Sequence, residues 1–428
     1  MRNFVANILR NILAQLARAT IWRYRPGVIG VTGSVGKTST KRAIAAVFAN
    51  GRNLRASEGN LNNELGVALT ILGEWRPEEL FLVSHDCPAG TRALAKCVFW
   101  IKVMWVSLFR LLVFRAEKYP EILILEYGVD RPGDMRKLLT MVRPNLSIIT
   151  AVGDIPVHVE FFSGPEELAR EKAKLIEYLP TAGFAILNYD DDTVLEFKNR
   201  TRAHTVTFGF SKGAEMRITN FETRSQNGEP KGISFTLEYA GVRVPVTLEG
   251  VFGKAQAYAA AAATCVGLAF GMNLVRVAEA LRGYRAPEGR GTLLRGIKET
   301  YCIDDTYNAS PLSMHAALDT LRQLPGKRKV AVLGDMLELG PYAIEAHQHL
   351  GEFVASVADV LVTVGPRAKF IGEAARTKGM HKKNVLLFDT AEDAAIPVQH
   401  LIKKGDLILI KGSHAIGLEK VVEEIKAI

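Results

Sequence analysis

Cysteine is scarce in this chain. Cys87, Cys97, Cys265 and Cys302 are its four cysteines, scattered without a C-x-x-C pair. Neither a zinc site nor a disulfide framework is expected from them, and the pattern fits a reducing cytoplasm. Low-complexity tracts and internal repeats are missing, and no basic motif with interleaved aromatics suggests nucleic acid. Long uninterrupted apolar runs are missing too. Two segments come nearest, residues 1–24 and 97–114. In the first, Phe4, Val5, Ile8, Leu9, Ile12, Leu13, Leu16 and Ile21 fall on one helical stripe, with Arg2, Arg10 and Arg18 elsewhere. It lacks the long apolar core and small-residue cleavage site of a signal peptide. The second carries Trp100 and Trp105 but is broken by Lys102 and Arg110, charges that are costly at a bilayer centre. Both read as amphipathic helices, lying on a membrane surface or packed on each other. The two readings share one sequence pattern. The expected location is cytoplasmic, at the inner face of the membrane if the first reading holds.

What remains is the composition of a soluble α/β protein: 48% hydrophobic and 23% charged residues, with 37 glycines to serve strand-to-helix turns. The excess of 54 Lys and Arg over 45 Asp and Glu favours anionic ligands such as nucleotides, phosphorylated sugars or an acidic lipid surface.

The most informative stretch runs from Gly33 to Ser39, Gly-Ser-Val-Gly-Lys-Thr-Ser. The apolar segment Val28–Val31 leads into it and a helix-compatible segment, Lys41 to Phe48, follows. That is the strand–loop–helix context of a phosphate-binding loop. Glycines at Gly33 and Gly36, with Ser34 between, let backbone N–H groups turn towards phosphate oxygens. Lys37 would place a cation on the β- and γ-phosphates of a nucleoside triphosphate. The Thr38 hydroxyl, followed by Ser39, would ligate magnesium.

Short apolar strands end at Glu126 and before Gly153, and a third spans Ala185–Asn188. From His204 to Leu248 the pattern alternates, with Asn227-Gly228 as a hairpin signal. The chain restarts near Pro287, and strands then alternate with helices to the end. The expected fold is α/β: residues 1–26 form an amphipathic helix, and residues 27–287 a central ATP-binding domain with a mostly parallel sheet and a helical insertion at 74–119. Residues 288–428 form a Rossmann-like C-terminal domain. Glu126 sits at the carboxyl end of its strand, where open parallel sheets bind ligands, and can hold the magnesium that Thr38 touches. His158 and Lys172 are unremarked by spacing alone, since a loop histidine and a helix lysine are usually structural or solvated.

Further motifs carry a resemblance. They are Asn60-Leu61-Asn62-Asn63-Glu64-Leu65-Gly66, Leu125-Glu126-Tyr127-Gly128, Gly289-Arg290, Ile303 to Pro311, Val332 to Gly340, and Ile410-Lys411-Gly412-Ser413. With the phosphate loop, they make the chain similar to the Mur ligase family, ATP-dependent amide ligases of bacterial cell-wall synthesis. The segments around Tyr307 and Met336 resemble the branch that adds D-alanyl-D-alanine. The resemblance implies ATP and two magnesium ions. It implies carbamylation of Lys172 by carbon dioxide to make a carboxylate-like ligand, with His158 beside it on the second metal. Arg290 would contact the γ-phosphate and Lys411 would lie near an acyl-phosphate. Asp305, Tyr307 and Asn308 would position the nucleotide. The implied partners are a muramyl-peptide precursor and D-alanyl-D-alanine.

Two departures stand out. About 26 residues precede the loop strand, too few for the family's N-terminal uridine-nucleotide domain. The family's Gly-x-His-x-x-x-Asn motif reads Gly253-Lys254-Ala255-Gln256-Ala257-Tyr258-Ala259, with Ala at the histidine and asparagine positions. Beside a ligase that adds D-alanyl-D-alanine to a muramyl-peptide carboxylate, these departures keep open a ligase acting on a different or lipid-linked carboxylate, and a degenerate membrane-associated binding protein.

Overall fold

A computed structural model describes residues 2–49, 51–59, 61–84, 87, 92–113, 119–226 and 229–427, with residues 2–7 described in backbone alone. The chain builds two sheets. The first contains β1 (Gly27–Thr32), β2 (Leu54–Ala56), β3 (Ile122–Glu126), β4 (Leu146–Ile149), β5 (Phe184–Asn188), β6 (His204–Gly209), β7 (Met216–Gln226), β8 (Glu229–Tyr239) and β9 (Val242–Glu249). The second contains β10 (Thr292–Gly296), β11 (Thr300–Asp305), β12 (Arg328–Gly334), β13 (Val360–Val364), β14 (Val385–Phe388) and β15 (Asp406–Lys411).

The first sheet has the order β2-β3-β1-β4-β5-β6-β7-β8-β9, parallel through β7 and antiparallel from β7 to β9. β1, β3 and β4 are apolar and almost wholly buried, as strands covered on both faces must be. β1 lies between β3 and β4, so the chain leaves it at a point where strand order reverses, the place open parallel sheets leave a crevice. The helix Lys254–Ala269 packs against the phosphate-loop helix Lys37–Phe48. Its run of alanines allows close approach, and most of it is buried. The expected Asn227-Gly228 turn lies outside the described residues, but β7 and β8 pair antiparallel up to Gln226 and Glu229.

The second sheet has the order β10-β11-β15-β12-β13-β14, with β10 alone antiparallel. Helices cover both its faces, so it has two separate apolar cores. The carboxyl ends of β11 and β15, which carry Asp305 and Lys411, face the phosphate loop across a cleft.

The two amphipathic helices pack. Helix 2–24 lays Leu13 and Ala17, both fully buried, on helices 64–72, 93–113 and 134–141. Ile8 and Ile12, expected on the same stripe, lie at its exposed shoulder. The Tyr24 hydroxyl donates to the Arg110 carbonyl at 2.5 Å, the Tyr24 ring stacks on Tyr119, and Arg110 donates to the Leu72 carbonyl at 2.7 Å. Arg110, read in sequence as an interruption, thus ties helix 93–113 to the domain. No described helix is long and apolar enough to cross a membrane.

Candidate active site

The loop after β1 takes its shape from β4. Gly33 has φ 143° and Gly36 φ 88°, values that favour glycine. A Cβ on Gly33 would stand 2.1 Å from the Thr150 hydroxyl. That hydroxyl donates to Val35 O at 2.6 Å, and Ser34 N donates to Ala151 O at 2.6 Å, so the end of β4 pins the loop. The helix Lys37–Phe48 begins straight after Gly36, which leaves its first N–H groups without intrahelical partners. The Ser34 hydroxyl is buried with no partner among the described residues. An N-terminal helix turn with spare donors suits phosphate oxygens. The Lys37 ammonium caps the loop itself, 2.8 Å from Gly33 O and 3.4 Å from Ser34 O. Burial pushes its pKa down, and neighbouring Arg290 and Lys41 add to this against the pull of Glu126.

Glu126 reaches the loop from the end of β3, with its Oε2 3.2 Å from the Thr38 hydroxyl and its Oε1 3.3 Å from Asn62 Nδ2. The two hard oxygen donors of Thr38 and Glu126 fit a magnesium ion. A cation already stands at this carboxylate: Lys41 Nζ lies 3.2 Å from Glu126 Oε2 and also donates to Ser57 Oγ and Gly59 O. Burial raises the Glu126 pKa, but Lys41, Lys37 and Arg290 outweigh it and hold the carboxyl below its ordinary range. Lys41 was not singled out in the sequence. The available signal was its spacing, one helical turn after Lys37 and so on the same face.

Replacing Lys41 with Met should strip a fully buried carboxylate of its nearest counterion. The expected loss is about 3 kcal/mol, read as a lower urea midpoint, with most of it recovered in Lys41→Met/Glu126→Leu.

His158 and Lys172 come together in a small cavity beside the loop, with Asp130 and Asn62. His158 Nδ1 lies 2.6 Å from Glu338 Oε2 and Nε2 lies 3.3 Å from Asp130 Oδ1. Both ring nitrogens therefore lie beside carboxylates, one of them from the second domain. Lys172 is buried on the helix Pro165–Glu177, with Nζ 3.4 Å from Gly33 O. Burial, reinforced by Lys37, lowers its pKa to about 7. Among the described residues no group of three or more His, Cys, Asp or Glu side chains could hold a metal. Asp130 escaped the sequence reading, and Glu338 entered it only as part of the motif Val332 to Gly340, because their meeting with His158 is made by loop geometry and domain contact.

The second domain closes the cleft, whose volume is about 460 Å³. Lys411 Nζ bonds Asp305 Oδ2 at 2.8 Å and Asn308 O at 2.8 Å, so it fixes the 305–308 turn. Burial raises the Asp305 pKa against the opposing pull of Lys411. The Arg290 guanidinium lies 3.9 Å from the Tyr307 ring centroid, and Tyr307 stacks on His414 at 5.8 Å. In the altered motif, Ala255 and Gln256 line the cleft. Gln256 donates to Arg290 O at 3.1 Å and accepts from the Tyr284 hydroxyl at 2.5 Å. One substituted segment thus anchors the backbone that carries Arg290.

A phosphate loop on one α/β domain facing a basic and aromatic turn on a second defines an ATP-dependent ligase, and the chain belongs to the Mur ligase family. The Mur ligase middle domain matches residues 31–83 and 107–267, and the Mur ligase glutamate ligase domain matches residues 289–414. The chain is 30% identical over 415 residues to the UDP-N-acetylmuramoyl-tripeptide--D-alanyl-D-alanine ligase of Bacillus subtilis (strain 168), covering 96% of this chain and 79% of that protein. The ligase of the same name from Escherichia coli (strain K12) is 27% identical over 405 residues, 93% of this chain and 76% of the relative. Among solved structures, MurF from Thermotoga maritima in complex with ADP aligns with TM-score 0.76 and 26% identity, covering 97% of this chain and 83% of that one. MurF from Acinetobacter baumannii aligns with TM-score 0.77 and 25% identity, covering 97% and 80%.

Proposed function

We propose that this ligase joins D-alanyl-D-alanine to the terminal carboxylate of a muramyl-tripeptide precursor, with ATP activating that carboxylate. The observation that carries this reading is the shared cleft. The segments around Tyr307 and Met336, which resemble the D-alanyl-D-alanine-adding branch, line it opposite the phosphate loop, the second through Leu337 and Glu338. The names of the similar ligases support the same substrates.

In the first step the substrate carboxylate oxygen attacks the γ-phosphorus of ATP, the bond to the β-phosphate oxygen breaks, and ADP leaves. The incoming amine then attacks the acyl carbon, a C–N bond forms, phosphate departs and the amine gives up a proton. Lys37 and the loop N–H groups hold the phosphates through the change in charge, and Arg290 supplies a second cation from across the cleft. Thr38 and Glu126 would hold magnesium, which when bound neutralises phosphate charge. Lys411 acts here as a positioning residue for Asp305 and Asn308.

Lys172 with a pKa near 7 has a neutral amine available at physiological pH. Such an amine adds to carbon dioxide, forming a C–N bond and releasing a proton, and leaves a carbamate anion. The carbamate would supply the oxygen donors that the His158 cavity otherwise draws from Asp130, and so would complete a site for a second magnesium. The test of the reading as a whole is mass spectrometry of products from a panel of acceptors with ATP and D-alanyl-D-alanine. The UDP-linked muramyl-tripeptide should gain one dipeptide with one ADP formed. Reaction of lipid-linked acceptors alone, or of no acceptor at all, overturns the substrate assignment.

A further inference from the structure

Packing of the two amphipathic helices leaves one face uncovered. On helix 93–113, Leu94, Val98, Ile101, Trp105, Leu108 and Leu112 recur at one face for five turns, a stripe about 27 Å long. Leu94 is 81%, Trp105 72% and Leu112 78% exposed. The opposite side of the same helix, with Phe99, Val103 and Ser107, is buried in the domain. The bond from Tyr24 to the Arg110 carbonyl brings the end of helix 2–24 alongside, and Trp22 there is 76% exposed. An apolar surface of this extent on one face is unusual for a protein surrounded by water.

Charge identifies what covers it. Residues 2–25 contain five arginines and residues 87–116 contain three arginines and two lysines, with no Asp or Glu in either segment. These ten cations leave the rest of the chain at −1, against +9 for the whole, so the basic character of the protein resides in this one element pair. Two of the described cations turn away from the stripe: Lys102 reaches Glu79 at 2.5 Å, and Arg18 the Thr140 carbonyl at 2.8 Å. A second copy seated on this face would bring two such carboxylate-free segments together. A surface of anionic headgroups over hydrocarbon matches both the charge and the apolar stripe, and exposed tryptophans suit the boundary between them.

We propose that the outward face of helix 93–113, together with Trp22, docks this protein on an anionic lipid bilayer without crossing it. Helix 64–72, whose Leu65 and Leu69 line the active-site cleft, packs against helix 93–113. The full chain should float with vesicles of phosphatidylglycerol and phosphatidylcholine in equal parts. It should float far less with phosphatidylcholine alone, and less again at high salt. The double variant Ile101→Glu/Trp105→Glu should lose at least about tenfold in vesicle affinity while keeping its circular dichroism and its turnover of soluble substrates. If that variant fails to fold, quenching of the native tryptophans by brominated lipids reads the same contact. No flotation above the phosphatidylcholine level, or no quenching, overturns the proposal. So does a dimer in sedimentation velocity that the variant abolishes, since a second copy would then be the occupant. Because turnover of soluble substrates is measured separately, failure of docking is distinguishable from failure of the ligase assignment.

Discussion

Lys37→Ala is expected to lower ADP formation in a single turnover by about 10³-fold, with a much smaller loss of nucleotide affinity. The loop N–H groups and the helix N-terminus still hold phosphate in the variant, because the Thr150 and Ala151 bonds to the loop remain when the Lys37 bonds to Gly33 O and Ser34 O are lost. What is lost is the cation that meets charge developing on the transferred group. Stability should move little. Burial already disfavours the charged Lys37, and Glu126 keeps its ion pair to Lys41 at 3.2 Å. A variant that retained full turnover would show that Arg290 and the backbone suffice, and would remove Lys37 from the mechanism.

The second large effect belongs to Lys172. Lys172→Ala should reduce turnover by about 10²–10³-fold. Added bicarbonate should not restore it, whereas short carboxylic acids that fill the space of the carbamate should do so in part. The wild-type protein should lose activity when carbon dioxide is stripped from the buffer and regain it on readdition. Unchanged turnover in Lys172→Ala refutes the carbamate. Stability tests the same residue independently. In carbon-dioxide-free buffer the folded pKa, about 7, lies below the unfolded value near 10.4. Between these values the unfolded chain binds more protons, so stability rises with pH across that window. The cost of burying Lys172 is complete below about pH 7 and gone above about pH 10. Lys172→Met should therefore raise the melting temperature by about 5 °C at pH 6 and hardly at all at pH 10.

Legibility in the sequence followed how local each feature is. The phosphate loop and Glu126 could be read because a strand, its last residue and the turn after it are contiguous, and a parallel sheet puts strand ends to use. Lys41 was harder to see. Its partner Glu126 lies 85 positions on, and a lysine inside a helix carries no mark of burial. The meeting of His158 with Asp130 and Glu338 depends on two loops and a second domain, none of which leaves a periodic trace. Gln256 fills an unspecified position of its motif, between two alanines, yet it anchors Arg290 O through a contact 34 residues distant. The amphipathic helices could not be assigned to protein or lipid because helical periodicity reports that a face is apolar, not what covers it. Helix 93–113 in fact has two faces, one taken up by Phe99 and Val103 and the other outward.

The way helix 2–24 is buried also sets an order of events during synthesis. It leaves the ribosome before helices 64–72, 93–113 and 134–141, on which Leu13 and Ala17 come to rest. At ordinary elongation rates, about 5–20 residues per second, its apolar stripe waits roughly 6–25 s for the last of them. During that interval the stripe is a ligand for whatever apolar surface is nearest, a chaperone or a membrane. The nascent chain therefore meets its choice of partner before it has a site with which to use ATP.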